Sequence, residues 1–492
     1  MRRRLRPLDA ACSALAFSNV SLHAGVEHGR YFESLVALSQ RLAAGHSARV
    51  ITLGGSVPYG NNCFRPSGES YRACSWPARL VHALRGAFPS ATITHDNLAS
   101  GGNSVVHILS TLGIVLRERT DLILLDSLVK DAWRSGSTQA SQALEALLRT
   151  ARALAPTATV LVVEAAAPGL GDEVQRAKRP VLEHYKVATL DWKSAAADEP
   201  ALWRAGPIAG TTATDINHPS WLTHQMIADQ LVALWARAAR RACRRGGGIG
   251  GDAAGGGAAG QRPRTGGHAA PPAAGGAAAG WWWPPAPLWR ASDLAHFDVC
   301  TAPLSVYSSA EAGRSDSHGG AGGGAGGGAG GGAGGGADGG AGGGAGGRTP
   351  SVGAAGGTPR FAHGWRYYAD RPSKFGWIAT ERGATVGFEL RFGAAPRFAL
   401  TYLRSYEKVG RIELRLPAIG YTVVVDAHWV DRASQSDVLW FGTTPGHDTT
   451  ISYNTHHVPG LLPNATHVLE ARLLAAPSGA AEKFKIVQLV SC

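Results

Sequence analysis

A serine that follows two glycines at the end of an apolar run, and an aspartate three residues ahead of a histidine, are the groups best suited to covalent chemistry. Ser56 stands in Leu53-Gly54-Gly55-Ser56-Val57-Pro58-Tyr59-Gly60, and Asp215 and His218 stand in Thr214-Asp215-Ile216-Asn217-His218-Pro219. A serine hydroxyl is a weak nucleophile until a base takes its proton, and a carboxylate that holds one imidazole nitrogen leaves the other free to be that base. The chemistry such a set could do is attack on an acyl carbonyl. Each part alone is ambiguous. Gly-Gly-Ser also makes an ordinary strand-to-helix turn, and a chain with 18 histidines produces an Asp-x-x-His by accident. The G-x-S-x-G elbow is not matched, because residue 58 is proline.

Elements able to position these groups alternate along the first half of the chain. Short apolar runs at Arg49 to Leu53, Thr92 to Asn97, Leu122 to Asp126, Thr159 to Glu164 and Ala188 to Asp191 read as strands. Longer helical patterns separate them, at Trp76 to Phe88, Gln139 to Ala155 and Val174 to Tyr185, with Pro89 and Pro156 just past two of them. This is the pattern of an α/β domain with a parallel sheet buried on both faces, whose chemistry collects at the carboxyl ends of its strands. The residues after the first three strands are Gly54-Gly55-Ser56, Ala99 to Asn103 and Ser127 to Asp131, and the Asp-x-x-His pair precedes an apolar helical pattern from Trp221 to Trp235.

A serine after the first strand, a glycine loop after the second and Asp-x-x-His before the last helix, in that order, resemble the SGNH hydrolase superfamily of GDSL-type esterases. The likeness spans about residues 48 to 240 and extends more loosely to green-algal and plant-like members with a β-rich C-terminal region ending in cysteine. It implies a flavodoxin-like three-layer fold and no cofactor. It also implies Ser56 as nucleophile, His218 as base, Asp215 as its orienting carboxylate, and backbone N–H groups of Ser56 and Gly102 as oxyanion donors. The third signature block departs from the pattern: Lys130 precedes Asp131 where the family has asparagine. Lysine can donate and carries full charge, but its flexible stem is poorly preorganised. Loss of one oxyanion donor typically costs about 3 kcal/mol, so Lys130 is either a cationic oxyanion ligand or the mark of an impaired site.

Between Tyr59 and Trp76 a polar loop with Asn61, Asn62, Arg65, Glu69, Tyr71 and Arg72 is a candidate substrate loop, and equally an ordinary surface loop. Cys63 and Cys74 flank it, and Cys300 and Cys492 bracket the second half, spacings that suit two disulfides. No paired C-x-x-C suggests zinc.

The organisation expected is an N-terminal segment over 1–47 that is a possible degenerate leader, an SGNH-like domain over 48–240, a Gly/Ala-rich linker over 241–280, and a β-sandwich over 281–492 with a disordered Gly/Ala insertion at about 312–358. Its Gly-Gly-Gly-Ala repeat lacks the three-residue period and proline of collagen. From Trp365 the period becomes two, with Phe388, Leu390 and Phe392 alternating with Glu389 and Arg391, and Ile412, Leu414 and Leu416 alternating with Arg411, Glu413 and Arg415. Further strands at Tyr421 to Val425, Val468 to Leu473 and Phe484 to Val490 complete an antiparallel sandwich. Tyr402, Trp429, Trp440 and His456 are candidates for a sugar-stacking face or for core, and Trp281 to Trp283 for a cover over the start of this domain.

A net charge of +12 raises the question of an anionic partner, but its one dense run, Arg237 to Arg245, reads as a solvated helix end without the aromatic interleaving or fold motif of a nucleic-acid binder. No apolar run long enough to span a membrane occurs. Sequons at Asn19 and Asn464 and the cysteine pairs point to a secreted glycoprotein. The functional expectation is a serine esterase acting on acyl esters, with acetylated polysaccharide as the first substrate class and small esters behind it. The alternative is a catalytically impaired SGNH-like protein that binds cell-wall or cell-surface carbohydrate.

Overall fold

Strands that are apolar on both faces need a helical layer on each side, and the first half of the chain supplies both. In a computed structural model, residues 31–63, 71–116, 119–134, 136–207, 214–247, 287–289, 305–308, 358–370, 375–430, 434–443, 455–475 and 483–492 are described. Five strands, β1 (Ala48–Gly54), β2 (Ile93–Asn97), β3 (Leu122–Asp126), β4 (Thr159–Val163) and β5 (Ala188–Leu190), form a parallel sheet in the order β2-β1-β3-β4-β5. That order is the flavodoxin-like one, whose switch point lies at β1 and β3.

Alternation along the strands divides the core in two. Val50, Leu122, Leu124 and Leu161 face helices α1 (Tyr31–Ala43), α4 (Trp76–Ala87) and α10 (Trp221–Gly247). Ile51, Leu53, Ile123, Leu125 and Val162 face α5 (Val105–Val115) and α7 (Ser137–Leu154). Helix α7 presents Ala140, Leu144, Leu147 and Ala151 at helical spacing. Short helices α2 (Ser56–Tyr59), α3 (Tyr71–Cys74) and α6 (Leu128–Arg134) begin at or near strand ends, and α8 (Asp172–His184) and α9 (Trp192–Asp198) complete the layers. Helix α1 falls in the segment expected to precede the domain, yet Leu35, Val36, Leu38 and Leu42 are buried in the first core and α1 packs on α10. The folded unit therefore starts before residue 48. The basic run also differs from a fully solvated end, since Arg237 is half-buried and Arg241 pairs with Glu33 of α1 at 2.7 Å.

The second half is a β-sandwich. One sheet contains β8 (Ser305–Ser308), β10 (Trp365–Ala369), β11 (Phe375–Ala379), β13 (Arg397–Arg404), β16 (Gln435–Gly442), β17 (Thr455–His457) and β19 (Phe484–Ser491). The other contains β9 (Phe361–His363), β12 (Thr385–Arg391), β14 (Arg411–Leu416), β15 (Tyr421–Asp426) and β18 (Thr466–Leu473). Pairing is antiparallel except between β16 and β17, which run parallel. Phe388, Leu390, Ile412 and Leu414 meet Leu400, Leu439, Phe441 and Phe484 between the sheets, while Glu389, Arg391, Glu413 and Arg415 lie on the other side of the pleat, none of them buried.

Helix α5 joins the halves. Ten of its eleven residues are buried, as a helix apolar all round must be. One side lies on the parallel sheet; the other runs against β16, and Ile114 clusters with Val306 and Val490 of the sandwich. Each such side chain contributes about 1.5–3 kcal/mol by leaving water. Midway along α7, buried Glu145 accepts the backbone N–H groups of Leu288 at 2.7 Å and Trp289 at 2.9 Å, pinning the chain as it enters the second half.

Cys63 and Cys74 form a disulfide, and Cys492 is disulfide-bonded as well. Cys300, Asn19, Trp281 to Trp283, and the Gly/Ala tract at 312–357 lie outside the described residues. Asn464 is exposed. None of the helices among the described residues is long and apolar enough to cross a membrane.

Candidate active site

Ser56 opens α2 where β1 ends, and the glycines before it are required by close approach. A Cβ on Gly54 would fall 2.2 Å from the Asp126 carbonyl oxygen and 2.4 Å from Pro58 Cγ, so only glycine fits between the neighbouring strand and the turn. The Gly55 N–H donates to that same carbonyl at 3.0 Å. Proline at 58, which breaks the lipase-type elbow, thus packs against the glycine that makes this turn.

The sequence places Asp215 and His218 only as a pair ahead of the last helix. They sit in a two-stranded ribbon of β6 (Ala205–Pro207) and β7 (Thr214–Pro219), irregular between Ala205 and Gly206. Positions three apart on a regular strand face opposite ways; the irregular ribbon brings this pair together. Asp215 Oδ1 accepts the Asn217 N–H at 2.9 Å, a local turn that leaves Oδ2 to His218 Nδ1 at 2.5 Å. The His218 imidazole beside Asp215 holds its carboxyl below the usual carboxylate range. With Nδ1 donating to the carboxylate, Nε2 is left as the basic nitrogen. Helix α2, which begins with Ser56, packs against β7.

Asn62 takes a part the substrate-loop expectation did not give it. Its Nδ2 donates to Asp215 Oδ2 at 3.4 Å, and a Cβ on Gly206 would lie 2.8 Å from Asn62 O and 3.0 Å from His218 O. Asn62 is therefore wedged beside the dyad, in the left-handed conformation that asparagine tolerates (φ 59°). Asn61 is half-buried and its N–H donates to the Ser56 carbonyl at 3.0 Å. Tyr71 opens α3, and Arg65 lies outside the described residues.

The Gly102 loop hangs from the serine turn. The Ser100 N–H donates to Gly54 O at 3.0 Å, and a Cβ on Gly55 would lie 3.1 Å from Asn103 O and 3.9 Å from Lys130 Cβ. Gly102 has φ +95°, a conformation open to glycine. The residues bearing the expected oxyanion donors are thus gathered around one turn.

Three positioning groups went unrecognised in the sequence. Asn97, at the end of β2, donates to Pro58 O at 3.0 Å and accepts the Ala99 N–H at 3.1 Å, tying the serine turn to the glycine loop. Fully buried Asp131 accepts the Val105 N–H at the start of α5 at 2.7 Å, the Ser127 hydroxyl at 2.7 Å and the Lys178 ammonium. Gln435 and Ser436 of the sandwich touch Gly102: a Cβ there would lie 3.2 Å from Ser436 N and 3.4 Å from Gln435 Cα. An acidic residue following the third-block position was the available signal for Asp131; nothing local announced Gln435.

Of the two readings left open for Tyr402, Trp440 and His456, sugar-stacking face or core, the structure gives core. Tyr402 is buried and stacks on Phe484, Trp440 is buried with Val438 and Ala399, and His456 stacks on Phe441. Trp429 is covered by the Arg404 guanidinium at 4.0 Å. The exposed apolar side chains near the site are different ones: Trp133, 57% exposed, three residues after Lys130 on α6, and Ile216, 65% exposed, beside Asp215. Among the described residues no group of three or more His, Cys, Asp or Glu side chains could hold a metal.

No protein-family model and no curated protein matches this chain. Among solved structures it is similar to a two-domain esterase active on acetylated mannans, crystallised with mannopentaose, at 15% identity and a TM-score of 0.53, with 93% of this chain and 94% of that one covered. A second structure of a two-domain esterase active on acetylated mannans aligns at 16% identity and a TM-score of 0.52, covering 94% of this chain and 96% of that one. An acetylxylan esterase from Geobacillus stearothermophilus aligns with 38% of this chain and 94% of its own at 16% identity, with a TM-score of 0.31. The two-domain likeness is one of fold: a parallel α/β sheet domain followed by a β-rich domain.

Proposed function

We propose that this protein is a serine esterase that removes acyl groups, acetyl first among them, from a polysaccharide. The observation that carries the reading is the Asp215–His218 pair at 2.5 Å on a strand packed against the short helix that opens with Ser56. The two-domain fold shared with esterases active on acetylated mannans supports the substrate class. In this reading His218 Nε2 takes the Ser56 proton as Oγ adds to the ester carbonyl, and Asp215 stabilises the imidazolium. The sugar alkoxide leaves with the proton returned by His218. Water, deprotonated by the same nitrogen, then releases the carboxylic acid and restores Ser56.

Negative charge on the carbonyl oxygen is met by the N–H groups of Ser56 and Gly102 and by Lys130. The ammonium supplies full charge where the family has a neutral amide, in a turn that Asp131 and Asn97 hold from beneath. Trp133 and Ile216 offer apolar walls for the sugar ring.

The experiment is acetate release from acetylated mannan, acetylated xylan and an aryl acetate by the full chain and by Ser56→Ala. Wild type is expected to turn over at least one polysaccharide, and the variant to lose at least about three decades of kcat. Release unchanged by Ser56→Ala would overturn the reading. The contrary reading, a disabled enzyme kept for carbohydrate binding, is favoured by Lys130 alone and predicts no turnover by wild type and new turnover by Lys130→Asn.

A further inference from the structure

A cleft of about 280 Å³ opens in the sandwich where β10 and β13 end and β19 begins, beside the chain entering β16, lined by Asp370, Ser405, Tyr406, Glu407, Lys408, Ser434 and Lys485 among others. We propose that this cleft is a glycan subsite, taking a neutral, hydroxyl-rich pyranose of the same polysaccharide whose ester reaches Ser56. The inference rests on the esterase reading above for the identity of the chain it holds, though not for the binding itself.

The chemistry of the lining selects that class. Asp370 accepts from Lys483 at 2.7 Å and from Lys485 at 2.6 Å, and Lys485 is only 3% exposed, so the floor is a built array; with Glu407 and Lys408 on the lining, two carboxylates face three ammonium groups. The single positive charge left over is compatible with a neutral ligand, and the hydroxyls and carboxylate lone pairs of the lining suit sugar hydroxyls that both donate and accept. Ser405 and Ser434 place two hydroxyls 2.7 Å apart on one wall, and each keeps hydrogen-bonding capacity beyond that contact. Tyr406, 39% exposed, supplies the ring for the C–H face of a pyranose. Lys408 holds φ +53°, a conformation uncommon outside glycine and asparagine, which sets the shape of this loop.

Position ties the cleft to the reaction. Ser434 immediately precedes Gln435 and Ser436, the residues that touch Gly102. Two residues of chain span at most about 7 Å, so a saccharide in the cleft adjoins the loop expected to hold the oxyanion. Gln435, 4% exposed, stands between them with its Nε2 buried and without a hydrogen-bond partner among the described residues.

The test separates polymer from small substrate. Tyr406→Ala in the full chain is expected to leave kcat/KM for an aryl acetate within about twofold of wild type and to lower kcat/KM for the acetylated polysaccharide about tenfold through KM, with Tyr406→Phe restoring it. In parallel, calorimetry on the Ser56→Ala chain with deacetylated mannan, xylan and cellulose hexasaccharides is expected to detect binding to at least one, weakened about tenfold by adding Tyr406→Ala. Equal loss on both substrates, no loss on either, or no binding of any hexasaccharide would overturn the subsite. Failure of the esterase reading gives a different pattern: no ester release by wild type, with Tyr406-dependent hexasaccharide binding intact.

Discussion

The two limbs of the candidate site are supported in opposite ways. The acid–base limb is local: Asp215, Asn217 and His218 are within one strand, and their geometry is set by a turn of four residues that the first domain closes by itself. The oxyanion limb is distributed. Gly102 is tied to Gly54 from one side, held through Asp131 and Lys178 from below, and covered by Gln435 and Ser436 of the sandwich from above. The difference teaches that the sandwich is part of the wall of the candidate site and that α5, buried between two cores, is the element through which each half constrains the other.

The sharpest break in this comparison is on the local limb. Asp215→Asn is expected to keep the fold and to lower kcat by about three to four decades, because the amide favours the wrong imidazole tautomer. Steady-state kinetics on the aryl acetate, with circular dichroism to verify folding, checks it. A loss below tenfold would mean that His218 is oriented by something else.

Legibility in the sequence follows the same division. The parallel sheet was readable because β1 and β3 are apolar on both faces, and the sandwich because Glu389, Arg391, Glu413 and Arg415 mark the outward side of a period of two. The ribbon bearing the dyad was not, since Gly206, Pro207 and the polar run at 214–218 carry no strand period. Trp440 stayed open between stacking face and core for a physical reason: its face of the sandwich, shared with Val438, is a second buried face that packs against the first domain, so alternation there distinguishes two interiors rather than inside from outside. The contact of Gly102 with Gln435 is a matter of tertiary packing across most of the chain, which no local pattern encodes.

On the distributed limb the first prediction concerns charge. Lys130→Met removes the ammonium and keeps the stem, and is expected to cost two to three decades of kcat with KM changed less than threefold, the signature of an interaction made in the transition state. An unchanged kcat would remove Lys130 from the oxyanion set and leave the backbone donors alone. Next comes the support beneath it. Asp131→Ala strands the buried Lys178 ammonium and the Val105 N–H, and is expected to destabilise the protein by about 3–5 kcal/mol in denaturant unfolding. A change under 1 kcal/mol would mean that the oxyanion loop does not depend on this carboxylate.

The smallest expected effect returns to the local limb and asks whether its packing is acid-sensitive. His224, one helical turn into α10 and fully buried, accepts the Trp76 N–H on Nδ1 at 3.2 Å and so fixes the start of α4. That role requires the neutral ring, and burial, with help from the Arg79 charge, pushes its pKa down to about 3. The unfolded chain takes up a proton near pH 6.5, so between about pH 6.5 and pH 3 the unfolded state binds more protons than the folded one and stability falls as pH falls. The contribution is fully present above pH 6.5, and about 2 kcal/mol of it is gone by pH 5. Denaturant unfolding at pH 7 and pH 5 measures the difference. His224→Gln, which keeps an acceptor for Trp76 without a titrating group, is expected to be less stable at pH 7 but to lose that part of the pH dependence; an unaltered slope would place the acid sensitivity elsewhere in the molecule.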